Sequence, residues 1–188
     1  MRALIASLAL LGLASCATPA PRPVAPEVAL PSLALSPSDF GGSVSLSQQL
    51  SFAHEMDPGG PRSLEALVEI DASAVRLAGF ALSQRVITLQ WDGARLEEER
   101  DARVPAQFQS RTVIRDLQLV YWPAATVRAA LPEGWTLEDS PGQRVLRQGD
   151  KEWLLVRYAG QPPWVGRAEL VNLAEHYRLT IESRLSEE

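Results

Sequence analysis

The chain is poor in the residues that most often carry chemistry. Of its 188 residues one is a cysteine, Cys16, and two are histidines, His54 and His176. A single cysteine excludes an internal disulfide. Neither histidine belongs to an HExxH or other spaced ligand set, so no metal is expected. Lys151 is the lone lysine among 18 basic residues, and 23 acidic residues leave a net charge of −5. A mildly acidic chain lacks the basic patch that neutralises phosphates, so nucleic acid is not an expected partner. There is no Gly-x-Ser-x-Gly elbow and no phosphate loop. The run Glu97-Glu98-Glu99, flanked by Arg95 and Arg100, suits a wet strand end better than an acid–base pair, which needs burial to separate its pKa values. No enzyme activity is expected.

What is present begins at the N-terminus. Arg2 precedes an apolar stretch from Ala3 to Leu13, shorter than the about 20 residues that cross a bilayer. A basic start, a short apolar core and small residues after it describe a secretion signal over residues 1–15. Leu13-Ala14-Ser15-Cys16 resembles the lipobox of bacterial prolipoproteins at all four positions. That resemblance implies cleavage before Cys16 and a covalent diacylglycerol and acyl lipid on its thiol, with no other cofactor. A plain signal with an incidental cysteine is the bland alternative, but an unpaired thiol in an oxidising compartment would be a liability. With Cys16 consumed, no thiol is left for metal binding or nucleophilic catalysis. Removing residues 1–15 takes away Arg2 alone among charged residues, so the charge moves from −5 to −6. Ala17 stands where inner-membrane lipoproteins of Gram-negative bacteria carry Asp, which implies the periplasmic face of the outer membrane.

Residues 16–41 contain Pro19, Pro21, Pro23, Pro26, Pro31 and Pro37. Lacking a period, this stretch is expected to be an extended tether, with Leu30, Leu33 and Leu35 available as a short arm against the domain. The domain proper is placed at residues 42–188. Val44, Leu46, Gln48, Leu50 and Phe52 alternate with polar residues, as do Leu64, Ala66, Val68 and Ile70. Val75 and Leu77, then Ile87, Leu89 and Trp91, mark a third and fourth strand. Asp92-Gly93 is a two-residue hairpin signal, and Ala94 and Leu96 form its return strand. The period then changes. Val113, Leu117, Val120 and Tyr121 follow helical spacing with Ser110 as N-cap, and Pro123 fits the first turn of a second helix over Ala124, Val127 and Leu131. Five further strands follow, at 135–138, 143–147, 152–158, 165–173 and 176–184. About ten hairpin-linked strands with two short helices predict a mostly-β, unclosed antiparallel half-barrel whose helices form a lid or plug. Such a shape offers an apolar cavity.

This order resembles the LolA/LolB-like lipoprotein-carrier fold over residues 42–184. A closer likeness is to an uncharacterised family of bacterial lipoproteins often encoded beside aryl-polyene pigment biosynthesis genes. It is carried by residues 86–93 (VITLQWDG), 116–123 (DLQLVYWP), 131–135 (LPEGW) and 177–183 (YRLTIES). The resemblance implies a hydrophobic ligand (acyl chain, lipidated protein or polyene lipid), a membrane partner through the anchor, and envelope trafficking. The outer-membrane acceptor of that fold inserts an apolar residue from the turn after its third strand. Here Phe80 or Leu82 would take that part, and the alternative is that both pack beneath the hairpin. Phe52, Trp91, Leu117, Tyr121, Trp122 and Trp153 are the candidate cavity residues, since the inner face of an open barrel is core and wall at once. The competing expectation is a non-enzymatic accessory, its barrel filled by its own side chains, docked to an envelope protein complex.

Overall fold

The computed structural model describes residues 28–33, 35–104 and 108–186. The expected signal segment and Cys16 lie outside the described residues. Ten strands form one antiparallel sheet: β1 (Val44–His54), β2 (Arg62–Ile70), β3 (Val75–Ala81), β4 (Gln84–Trp91), β5 (Leu96–Arg100), β6 (Trp135–Ser140), β7 (Gln143–Gln148), β8 (Lys151–Tyr158), β9 (Gly166–Asn172) and β10 (Tyr177–Leu185). Their order is β5-β4-β3-β2-β1-β10-β9-β8-β7-β6. Each half of the chain is a meander, and the two meet where β1 pairs with β10 from Leu46↔Leu185 to His54↔Tyr177. The outer strands β5 and β6 do not pair with one another, so the barrel stays open, as the alternation predicts. Two helices, α1 (Ser110–Tyr121) and α2 (Ala124–Ala130), link these edges.

Local chemistry explains the strands. In β1, Val44, Leu46 and Gln48 point inward while Ser45 and Gln49 face solvent; in β2, Ala66, Val68 and Ile70 do the same against Glu65 and Glu69. A slip of one residue would turn every apolar side chain outward, so the register is strongly held. Gly79 lets β3 and β4 approach closely at a register shift, because a Cβ there would stand 2.8 Å from Ile87 Cγ2. The turn after β4 is wider than the dipeptide Asp92-Gly93 suggests. Strand pairing stops at Trp91↔Leu96, and Asp92 Oδ1 instead accepts from the backbone N–H groups of Ala94 (2.8 Å) and Arg95 (2.7 Å). Asp side chains favour this local bonding over a tight type I′ turn.

The helical insertion departs from its expected caps. Ser110 is the first helical residue and is buried; Gln109 holds the cap position. The Ser110 hydroxyl instead donates to Glu98 Oε2, tying α1 to β5. Pro123 precedes α2 as its cap instead of entering its first turn. In α1, Ile114 and every residue from Asp116 to Tyr121 are buried. A helical stretch buried on all sides belongs to a core, so the C-terminal half of α1 makes it a plug within the curve of the sheet.

The segment ahead of β1 is also part of that core. Leu30, Leu33, Leu35 and Phe40 are buried in the main apolar cluster. A single 3-10 turn, Pro37–Phe40, ends it, capped by Ser36 and by Asp39, whose carboxylate accepts from the Ser36 N–H at 2.7 Å. The leucines of this segment thus pack against the domain as the short arm expected of them, and within its core.

Candidate functional site

The inner face of the sheet is lined by fully buried apolar residues, among them Leu46, Val68, Leu89, Leu146, Leu154 and Leu170. Two things cover it. One is α1. The other is the strap of residues 28–33 and 35–36, which are neither helix nor strand. The strap is held by its carbonyls. Leu35 O accepts from Trp91 Nε1 (3.2 Å) and Gln118 Nε2 (3.0 Å), and Ser36 O accepts from Trp122 Nε1 (3.1 Å). Tryptophan N–H groups buried in a core need such partners, and the strap supplies them.

Five of the six candidate cavity residues fall in this interior. Trp91, Leu117, Tyr121, Trp122 and Trp153 are all buried in the same apolar cluster. Trp122 has no exposed surface, and its ring meets Phe40 edge-on at 5.3 Å; Phe40 in turn lies 5.3 Å from Trp164. The Tyr121 hydroxyl accepts from Gln48 Nε2 at 2.8 Å, and burial pushes its pKa up. Trp153 Nε1 is buried without a hydrogen-bond partner, while the Lys151 ammonium sits 4.0 Å from its ring centre. Phe52 does not belong to the interior. Near the end of β1, where the sheet passes beyond its filling, it is 36 % exposed and touches Tyr177 at 5.1 Å.

The inner face is covered by α1 and by the chain's own segment ahead of β1. Two clefts among the described residues open to solvent. One of about 560 Å³ is lined by Ser47, Gln49, Glu65, Arg167, Glu182 and Arg184 on the outer face. Another, about 190 Å³, lies beside the β3–β4 turn between Ser63, Glu65, Phe80 and Leu82.

The two candidate tip residues separate. Phe80 belongs to β3 and is half-buried. Leu82 forms the turn itself and is 95 % exposed. Leu82 and Ser83 both have left-handed backbone, with φ of 50° and 60°, the geometry of a tight I′ turn that normally selects Gly or Asn.

A buried ionic cluster went unread in the sequence. Arg115 bonds both Asp116 Oδ1 (3.0 Å) and Glu175 Oε1 (2.6 Å), and Asn172 Nδ2 donates to Glu175 at 3.3 Å. The Tyr177 hydroxyl donates to Asp116 Oδ2. Burial pushes the Asp116 carboxyl up to about 6, outweighing the opposing pull of Arg115 and of the tyrosine hydroxyl. Burial and the Asp116 charge push Tyr177 upward as well. Neither cleft reaches these groups, so their chemistry is that of a latch between plug and sheet. A second such joint is Arg144, buried on β7. It donates to the carbonyls of Leu119, Val120 and Trp122 at 2.7–3.3 Å and to Asp139 at 2.8 Å, satisfying the orphan acceptors at the end of α1. Only its interruption of the alternation in β7, where Arg144, Val145 and Leu146 are all buried, marks it in the sequence.

The histidines stay apart from any ligand set. His176 faces Glu55 at 3.4 Å, and no group of three or more metal-binding side chains gathers among the described residues. No helix there is long and apolar enough to cross a membrane.

Fold and site thus define a mostly-β protein: an open antiparallel sheet curved around a helical plug and an N-terminal strap. The chain belongs to the family described as protein of unknown function (DUF3261), whose model matches residues 45–184. No curated protein matches it.

Proposed function

We propose that the protein is a lipid-anchored, LolA/LolB-like binding module of the cell envelope. Acylated on Cys16 and held at the periplasmic face of the outer membrane, it takes up an acyl chain, a lipidated protein or a polyene-type lipid without chemical conversion. The observation that supports this reading is the strap. An apolar, irregular segment lies against the inner face as a linear ligand would, fixed by three side-chain bonds to two of its carbonyls. Displacing it frees an apolar groove. Ligand burial at about 25 cal/mol per Å² would supply affinity with little chemical selectivity.

A second reading draws on a different observation. Phe40, Trp122 and Trp164 meet within 5.3 Å and fill the interior, which suits an accessory that docks to an envelope protein complex and carries no cargo. Native mass spectrometry of the full chain purified from its own envelope, with lipid extraction, separates the two. A co-purifying acyl or polyene lipid, lost when Ala66→Leu narrows the inner face, supports the carrier. A clean unliganded mass with no uptake from added envelope lipids supports the accessory.

A further inference from the structure

The strap is extended, yet no strand holds it. Leu33, Leu35 and Pro37, two apart, are buried, while Ser32 faces solvent, the alternation of an extended chain. Among the described residues, no backbone–backbone bond joins residues 28–33 or 35 to the sheet. The carbonyls of Leu35 and Ser36 are taken by side chains instead. Trp91 ends β4, Gln118 lies in α1, and Trp122 follows α1 as its cap. All three donors are buried and are placed by the sheet and the plug, so the seat is built from elements other than its occupant.

Such a seat discriminates by chemistry. An acyl chain carries no acceptor along its length and would strand these N–H groups, each at a cost of about tenfold in affinity. A polypeptide brings a carbonyl at every residue. A second mark points the same way. The Gln118 amide gives Nε2 to Leu35 O, but its Oε1, on a side chain 1 % exposed, is buried with no partner among the described residues. Buried acceptors are nearly always paired, so the seat has one more bond to give than the strap takes, and a backbone N–H would take it.

The strap also has a pivot. Gly41, Gly42 and Ser43 join its last turn to β1 and are exposed, and a Cβ at either glycine would meet nothing within 4 Å. Gly41 has a left-handed backbone, with φ of 81°. Because it is attached, the strap competes for its seat at an effective concentration on the order of millimolar. An incoming segment has to bind well enough to overcome that.

We propose that the strap seat is a binding site for an extended, leucine-rich segment of a partner protein, with the strap as its built-in competitor. The inference rests on the binding role proposed above and names the ligand of that groove as polypeptide backbone. The probe is a synthetic peptide of residues 28–40, added to the full chain carrying Leu33→Ala or Leu35→Ala. Each variant should bind it about tenfold or more tightly than the wild type, because the resident competitor is weakened. Binding should raise the variant's thermal midpoint. The same peptide with Leu33→Asp and Leu35→Asp should not bind, and palmitate should not raise the midpoint. A second measurement needs no destabilised variant. In the full chain carrying Cys16→Ser and Ser32→Cys, a spin label at the exposed position 32 should gain mobility when excess peptide expels the strap. A midpoint unmoved by the peptide, or a label that stays immobile, would overturn the proposal. So would label mobility that rises with protein concentration alone, which would mark exchange of straps between two copies. Rescue by palmitate and not by peptide would overturn this inference and leave the cargo reading standing. Rescue by neither, with a clean unliganded mass, would sink both.

Discussion

Tyr177, the first residue of β10, donates its hydroxyl to Oδ2 of Asp116 in the middle of α1. With Arg115 and Glu175 beside them, this contact fastens the plug to the turn that carries Leu173. Breaking such a buried pair is costly because a charge is left without its partner.

The pH dependence of that latch has a definite sign. Burial raises the Asp116 carboxyl from 3.8 to about 6, so between these values the folded state binds more protons than the unfolded one. Its contribution to stability is fully present below pH about 4 and is lost as pH rises through 6. Asp116→Asn removes this dependence. The variant should gain on the wild type by on the order of 3 kcal/mol between pH 4 and pH 7, measured by urea denaturation. A constant difference across that window would mean that Asp116 does not titrate there.

Arg144 makes the reverse case, a charge whose loss strands others. Arg144→Met takes the guanidinium from the buried carbonyls of Leu119 and Trp122 and leaves Val120 O with the Tyr158 hydroxyl alone. A loss of about 3 kcal/mol is expected, seen as a lower denaturation midpoint with an unchanged slope. A loss below about 0.5 kcal/mol would show that water replaces the guanidinium.

Leu82 stands in a turn whose backbone suits glycine. Leu82→Gly relieves the left-handed backbone at φ 50° and should stabilise the protein by about 1 kcal/mol in urea denaturation. A loss of stability would place Leu82 in packing instead.

The strap gives the sharpest contrast with a free linker. Leu33 is 6 % and Leu35 4 % exposed, so Leu33→Ala and Leu35→Ala should each cost about 2–5 kcal/mol. In a tether neither change would register in thermal or chemical denaturation.

The strands were legible because their faces obey a period of two, and the ten of them follow the expected order. What escaped was set by contacts distant in sequence. Of the strap, Leu30, Leu33 and Leu35 were readable as an arm against the domain; what Pro31 and Pro37 hid is that these leucines are core. Asp116 looks like a solvent-facing helical residue until Tyr177, 61 positions later, is brought beside it. Ser110 carries a capping side chain, but Glu98 competes for it and wins. The apolar tip was readable only as a choice between Phe80 and Leu82, since the bulge after Gly79 decides which of them leaves the strand.

The pairing of β1 with β10 has a bearing on how the molecule comes into being. The central seam of the sheet joins residues 46–54 to residues 177–185, so it cannot close until nearly the whole polypeptide has been delivered. Each meander can zip locally beforehand, but the plug and strap have no complete surface to settle on. Contacts of such long range slow the final step. A chain built this way stays pliable through most of its synthesis and becomes rigid only when its last strand arrives.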